Sequence, residues 1–273
     1  MRPGLFDLNG RVAVITGGAG LLGVRHAEAL LSAGAIAVLV DLRGADAQDR
    51  AAELSSRCGG VAVGLGADVR HQPAVEAVLA ELLRRFGRVD ILVNNASRNP
   101  KVEGGDTNWS RLENFPLPQW EEDLAVGLTG SLVCSRVFGA EMARRGRGVI
   151  VNVASDLALI APDQRIYRQE GLPDGEQPVK PVSYSVVKSG LVGLTRYLAT
   201  YWADRGVRVN TLSPGGVANH QPEAFVRRLS QLIPMGRMAR ADEYEGALLF
   251  LCSDASSYMT GANLVVDGGR TCW

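Results

Sequence analysis

The chain has 273 residues, 46% of them hydrophobic, enough to bury one substantial core. Its 29 basic and 29 acidic side chains cancel, so no net field recruits nucleic acid or an anionic membrane surface. No apolar run approaches the roughly 18 to 20 residues that span a bilayer, and the opening MRPGLFDLNGR lacks the pattern of a secretory signal.

In chain order, short β-branched runs alternate with longer amphipathic stretches. Strands are predicted at residues 11–16, 35–41, 61–65, 90–94, 148–153, 207–212 and 264–266, and helices near 21–33, 45–57, 72–86, 119–145, 183–203, 222–231 and 242–252. That rhythm implies repeated βαβ units, and seven such strands make a doubly wound α/β sheet, parallel, with helices on both faces. Two stretches, 97–118 and 157–182, break the periodicity and read as loops. Each follows a strand at its carboxyl end, where open α/β sheets bind ligands, so substrate-side loops are expected near 97–118, 156–183 and 216–235 of a domain that takes in 1–273. The four cysteines, Cys58, Cys134, Cys252 and Cys272, form no C-x-x-C pair, which points to a reduced, cytoplasmic setting.

The first strand runs into Gly17, Gly20 and Gly23, and the next strand ends in Asp41. Glycines at that spacing let the backbone approach a pyrophosphate and seat it at the positive end of a helix. An acidic residue about 20 positions on accepts hydrogen bonds from the ribose hydroxyls of NAD and repels the extra phosphate of NADP, so NAD is preferred. Arg43, two residues after Asp41, is the nearest basic side chain that could answer a phosphate.

In YSVVK, Tyr184 and Lys188 lie four apart on a predicted helix, hence on one face. A phenol has an ordinary pKa of about 10, and a nearby ammonium would lower it enough for proton exchange near neutral pH. With six tyrosines and three lysines, random placement yields such a pair only about 0.07 times. Five basic residues, Arg98, Lys101, Arg165, Arg168 and Lys180, fall in the two loops and suggest a grip on an anionic or polyhydroxylated substrate.

Taken together, the glycine loop, NNAS at 94–97, NVAS at 152–155, YSVVK, SPGG at 213–216 and VDGG at 266–269 resemble the short-chain dehydrogenase/reductase family, nearly end to end. The resemblance implies a Rossmann-type fold, a nicotinamide cofactor, no metal, a small-molecule substrate and a homo-oligomer, tetramer or dimer. By position it makes Tyr184 the general acid/base, Ser155 the hydrogen-bond partner of the substrate oxygen, and Lys188 the residue that binds the nicotinamide ribose and lowers the phenol pKa. Gly17, Gly20, Leu21, Leu22, Gly23, Asp41, Leu42, Asp68, Val69, Asn94 and Ala96 would meet the adenosine and pyrophosphate, and Pro214, Gly215 and Val217 the nicotinamide. The expected reaction is interconversion of a secondary alcohol and a ketone, with a sugar-like substrate favoured. A nucleotide-sugar epimerase or dehydratase, suggested by the spacing TGGAGLLG, and a catalytically weak dinucleotide-binding module are the alternatives. Three residues depart from the family pattern: Gly127 stands where many relatives carry a helix-kinking asparagine, Asn219 replaces a threonine, and Ser97 replaces a glycine.

Overall fold

A computed structural model describes residues 4–102 and 108–273. Its centre is a seven-stranded sheet of order β3-β2-β1-β4-β5-β6-β7, every adjacent pair parallel: β1 (Val12–Thr16), β2 (Ile36–Asp41), β3 (Ala62–Gly66), β4 (Ile91–Asn94), β5 (Gly148–Val153), β6 (Val207–Pro214) and β7 (Asn263–Val266). The helices are α1 (Leu21–Ser32), α2 (Gly44–Cys58), α3 (Gln72–Phe86), α4 (Leu117–Leu124), α5 (Gly130–Arg144), α6 (Val182–Tyr201), α7 (Glu223–Gln231) and α8 (Glu245–Cys252).

Strand β1, VAVIT, is buried on both faces, which is why it reads as an unbroken apolar run. Its residues alternate between two cores. Ala13 and Ile15 join Leu39, Val93 and Val151 in one, packed with α1 and α8; Val12 and Val14 join Val38, Leu92 and Ile150 in the other, packed with α3 and α5. Burial of these side chains from both sides is the main driving force for the doubly wound arrangement.

Two expectations are corrected. The predicted helix at 119–145 is α4 and α5 joined by one π-helical turn, Ala125–Thr129, centred on buried Gly127. The glycine is there because α6 crowds it: a Cβ on Gly127 would lie 2.5 Å from Val187 Cγ1. At 242–252 the first turn is a tight 3₁₀ turn, Ala241–Tyr244, and the α-helix starts only at Glu245. The segment 157–182 is a loop, as expected, and a packed one, with short 3₁₀ turns at Gln164–Tyr167 and Asp174–Glu176. Its Ile166 and Tyr167 are buried against Phe225 and Leu229 of α7, Met238 and Val102, a third small core at the carboxyl edge of the sheet. In the loop predicted at 97–118, residues 103–107 lie outside the described residues.

All four cysteines are unpaired, and Cys134 and Cys252 are buried. No described helix is long and apolar enough to cross a membrane.

Candidate active site

The turn from β1 to α1 is made for close approach. Gly17 takes φ +60°, a conformation that favours glycine, and a Cβ there would meet the Ala96 Cα at 2.9 Å. Helix α1 begins at Leu21, directly after extended Gly20, with no side-chain cap and no acid in its first turn, so its leading N–H groups remain open to an anion. The cradle opens into a cavity of about 610 Å³ at the carboxyl edge of the sheet. Bare backbone, a helix N-terminus and a carboxylate at the end of β2 fit a dinucleotide.

That carboxylate, Asp41, accepts the N–H of Ala19 at 3.2 Å and the N–H of Arg43 at 3.3 Å. The Arg43 guanidinium is paired with Asp46 at 2.9 Å. Further along, Arg70 grips Asp68 through Nε and NH2 at 2.6 to 3.0 Å and also reaches Glu122 at 2.6 Å. The Arg70 hydrogen bonds hold the Asp68 carboxyl below the usual carboxylate range.

At the reacting end, Ser155 follows β5, and α6 presents Tyr184 and Lys188 one turn apart. A buried polar chain fixes α6 against the sheet: Asn94 Nδ2 donates to Asn152 Oδ1, Asn152 Nδ2 donates to Thr195 Oγ1, and Thr211 Oγ1 donates to Thr195 Oγ1, at 2.7 to 2.8 Å. At the start of the helix, Ser183 Oγ donates to buried Asp123 at 2.6 Å. Backbone and side-chain ties thus hold both ends of the segment that carries Tyr184.

The geometry sets burial of the phenol against the lowering expected from Lys188. Lys188 Nζ donates to the Val153 carbonyl at 2.9 Å and lies 5.6 Å from the centre of the Tyr184 ring. Burial pushes the Tyr184 phenol up to about 12, against a hydrogen bond with Ser155 that pulls it down. Tyr184 as a residue is half-buried and lines the cavity. Burial likewise brings the Lys188 amine down to about 8, helped by the charge of Lys180, whose Nζ sits 3.9 Å from the ring centre. Lys180 is therefore the nearer ammonium, a contact that spacing in the chain does not reveal.

The cavity is lined by Ser155, Tyr184 and Lys188 and, of the residues expected at the cofactor, by Gly17, Gly20, Leu21, Leu22, Asp41, Leu42, Asp68, Val69, Ala96, Pro214, Gly215 and Val217. Gly23 and Asn94 are not on its wall. Gly23 lies beneath the turn, where a Cβ would meet the Gly17 carbonyl oxygen at 2.3 Å. The Asn94 side chain is buried, its Nδ2 donating to Asn152 of β5 and Ser135 of α5, and its neighbour Asn95 faces the cavity instead. The proposed cationic grip of the loops loses three members to internal pairs: Arg98 with Glu122 and Asp123, Arg165 with Asp163, and Arg168 with Asp174, at 2.6 to 3.2 Å. Sequence reasoning missed Asp156 and Arg270, which also line the cavity. Each stands directly after a recognised motif, NVAS and VDGG, and that adjacency was the available signal.

The chain matches the family model of short chain dehydrogenases over residues 11–167 and that of Enoyl-(Acyl carrier protein) reductase over residues 175–271. It is 37% identical over 271 residues to D-threitol dehydrogenase of Mycolicibacterium smegmatis, covering 97% of this chain and 95% of that protein. It is 32% identical over 272 residues to the NAD-dependent glycerol dehydrogenase of Listeria innocua, covering 97% and 96%. Among solved structures, a gluconate 5-dehydrogenase from Burkholderia cenocepacia in complex with NADP and tartrate superposes with a TM-score of 0.85 at 29% identity, over 98% of both chains.

Proposed function

The chain belongs to the short-chain dehydrogenase/reductase family, and from that premise we propose that it oxidises a neutral polyol at a secondary alcohol, with NAD as the preferred cofactor. It is an NAD(P)-dependent oxidoreductase that interconverts an alcohol and a ketone on a sugar-like substrate. The observation that carries the reading is the convergence of Ser155, Tyr184 and Lys188 on a cavity whose other end is the glycine cradle.

The nicotinamide supplies the hydride chemistry when bound. The glycine turn and the N-terminus of α1 hold its pyrophosphate, and Asp41 holds the adenosine ribose. Tyr184 moves the proton: it gives it to the ketone oxygen in reduction and takes it back in oxidation. Burial keeps the phenol protonated at neutral pH, a ready acid for reduction; in oxidation it first releases that proton to solvent, and the ammonium groups of Lys180 and Lys188 counter the phenolate that then takes the alcohol proton. Ser155, its hydroxyl turning from Asp156 Oδ1, hydrogen-bonds the reacting oxygen and steadies its developing charge.

Asp41 supports NAD because Arg43 is already paired with Asp46 and cannot neutralise both the carboxylate and a 2′-phosphate. The wild-type protein should favour NAD over NADP by at least about tenfold in kcat/KM, and Asp41→Ser should narrow that gap by a similar factor. Exposed Leu132 on α5, with Val186, Tyr197 and Tyr201 on α6, supports a homo-oligomer joined through these helices, testable by light scattering. Four unpaired cysteines support a cytoplasmic location.

The deciding experiment offers D-threitol, glycerol and galactitol with NAD or NADP and follows absorbance of the reduced nicotinamide. Cofactor reduction by the wild type and not by Tyr184→Phe is the expected result. Binding of NAD with no turnover on any alcohol would instead identify a dinucleotide-binding module.

A further inference from the structure

Ser155 and Tyr184 engage one oxygen of the substrate, and a polyol carries others. Beside Ser155 the cavity wall holds an ion pair, Asp156 Oδ2 to Arg270 NH1 at 2.7 Å, with the two side chains only 3% and 7% exposed. It ties the turn after β5 to the turn after β7, positions 114 residues apart in the chain. Burying two charges costs several kcal/mol per ion, and well-packed apolar residues of similar size often do as well, so stability alone gives little reason for the pair.

Its spare hydrogen-bonding capacity is more informative. Asp156 Oδ1 accepts the Ser155 hydroxyl and the Leu157 N–H, both at 2.8 Å, while Oδ2 accepts only from Arg270. Arg270 gives one guanidinium N–H to Asp156, and the rest of its fork has no hydrogen-bond partner among the described residues. The nearby Asp163 is taken by Arg165 at 2.6 Å. A charged side chain more than nine-tenths buried on the cavity wall therefore keeps most of its donors unspent, next to a carboxylate with a lone pair to spare.

We propose that the Asp156–Arg270 pair recognises the hydroxyl on the carbon next to the reacting one, and so selects neutral vicinal diols over hydroxy acids. A hydroxyl both gives and accepts hydrogen bonds, and this pair offers one acceptor and several donors side by side. A carboxylate in the same place would gain from Arg270 but face Asp156 across a short gap, and like charges in a buried site repel strongly. The proposal rests on the polyol reading above and deepens it.

Three substrates that differ only at the neighbouring carbon separate the possibilities: 2-propanol, 1,2-propanediol and lactate. The wild type should prefer the diol to 2-propanol by about 100-fold or more in kcat/KM, since a site built to bind a hydroxyl discriminates strongly against its absence. Arg270→Met and Asp156→Asn should each reduce that ratio at least about tenfold, and Asp156→Asn, which leaves Arg270 uncompensated, should raise lactate relative to the diol. Use of the ratio cancels any change in Ser155, because all three substrates need it. Equal losses on all three, or no loss, would make the pair a structural clasp and overturn the proposal. Arg270→Lys keeps the charge and loses the fork, so it serves if Arg270→Met fails to fold. A wild type that turns over none of the three sinks the polyol reading, and recognition is then judged separately by saturation-transfer NMR with NAD present. Stronger saturation of 1,2-propanediol than of 2-propanol, lost in Arg270→Lys, supports the pair as a hydroxyl site; equal saturation overturns it.

Discussion

At Gly17 and Gly20 the cavity wall is bare backbone, part of one continuous turn that runs on into Leu21 and Leu22. Across the cavity the wall is side chain, drawn from segments far apart in sequence: Ile166 and Tyr167, Phe225 and Leu229, Met238, Arg270. In the proposed reading the first construction binds what every nicotinamide dinucleotide shares, its pyrophosphate and ribose, and can be local because the ligand's features are constant. The second must match a variable substrate, and side chains on a small packed core can change without disturbing the sheet. The difference teaches that cofactor binding and substrate choice are separable in this molecule, each open to its own perturbation.

The largest expected effect lies where the two constructions meet. Tyr184→Phe removes the proton carrier and should lower kcat/KM by about 10² to 10⁴, with the NAD dissociation constant unchanged within about twofold by titration calorimetry. Next, on the substrate side, Phe225→Ala removes a ring whose centre lies 5.4 Å from that of Tyr167, tilted 46° to it, and should weaken the small core by about 3 kcal/mol. Its signature is a KM for polyol raised about tenfold or more, with NAD affinity intact. If NAD affinity falls equally, the two sides are not separable.

On the cofactor side the sharpest perturbation is acid. His26, on α1, is fully buried with neither ring nitrogen hydrogen-bonded, and burial brings its pKa from 6.5 down to about 4. The unfolded chain then binds a proton more readily than the folded one, so stability is fully present above pH 6.5 and declines as pH falls toward 4, by up to about 3 kcal/mol. Denaturant midpoints across that range should fall for the wild type and flatten for His26→Leu. The smallest effect belongs to the π turn. Gly127→Ala places a methyl against Val187 and should cost about 1 to 3 kcal/mol, recovered in part by Val187→Ala, a coupling that a double-mutant cycle measures.

The same contrast governs what could be read from the chain. The sheet and the cofactor turn were legible because their signals are local: alternation of period two, glycines at fixed offsets, Asp41 at a strand end. The substrate side was not. Residues 157–182 carry no periodicity, yet Ile166 and Tyr167 are buried, because their partners on α7 lie some sixty residues later in the chain and no local pattern announces them. Charge misled in the same way. Arg98, Arg165 and Arg168 looked like a substrate grip, but their carboxylate partners come from α4 or from within the same loop, and pairing is a property of the folded arrangement. Likewise the Tyr184–Lys188 spacing predicted the proximity of the two side chains but not the burial that pushes the phenol up, a property of the folded surroundings.

The cysteines offer a practical opening. Burial pushes the Cys134 and Cys252 thiols up to about 12, so neither presents a thiolate at neutral pH, while Cys272 is exposed two residues beyond Arg270. With Cys58, which is half-buried, replaced by serine, an environment-sensitive dye on Cys272 would report from the segment that carries one half of the buried ion pair. The molecule thus carries its own attachment point for watching substrate arrive, independent of any change in the nicotinamide.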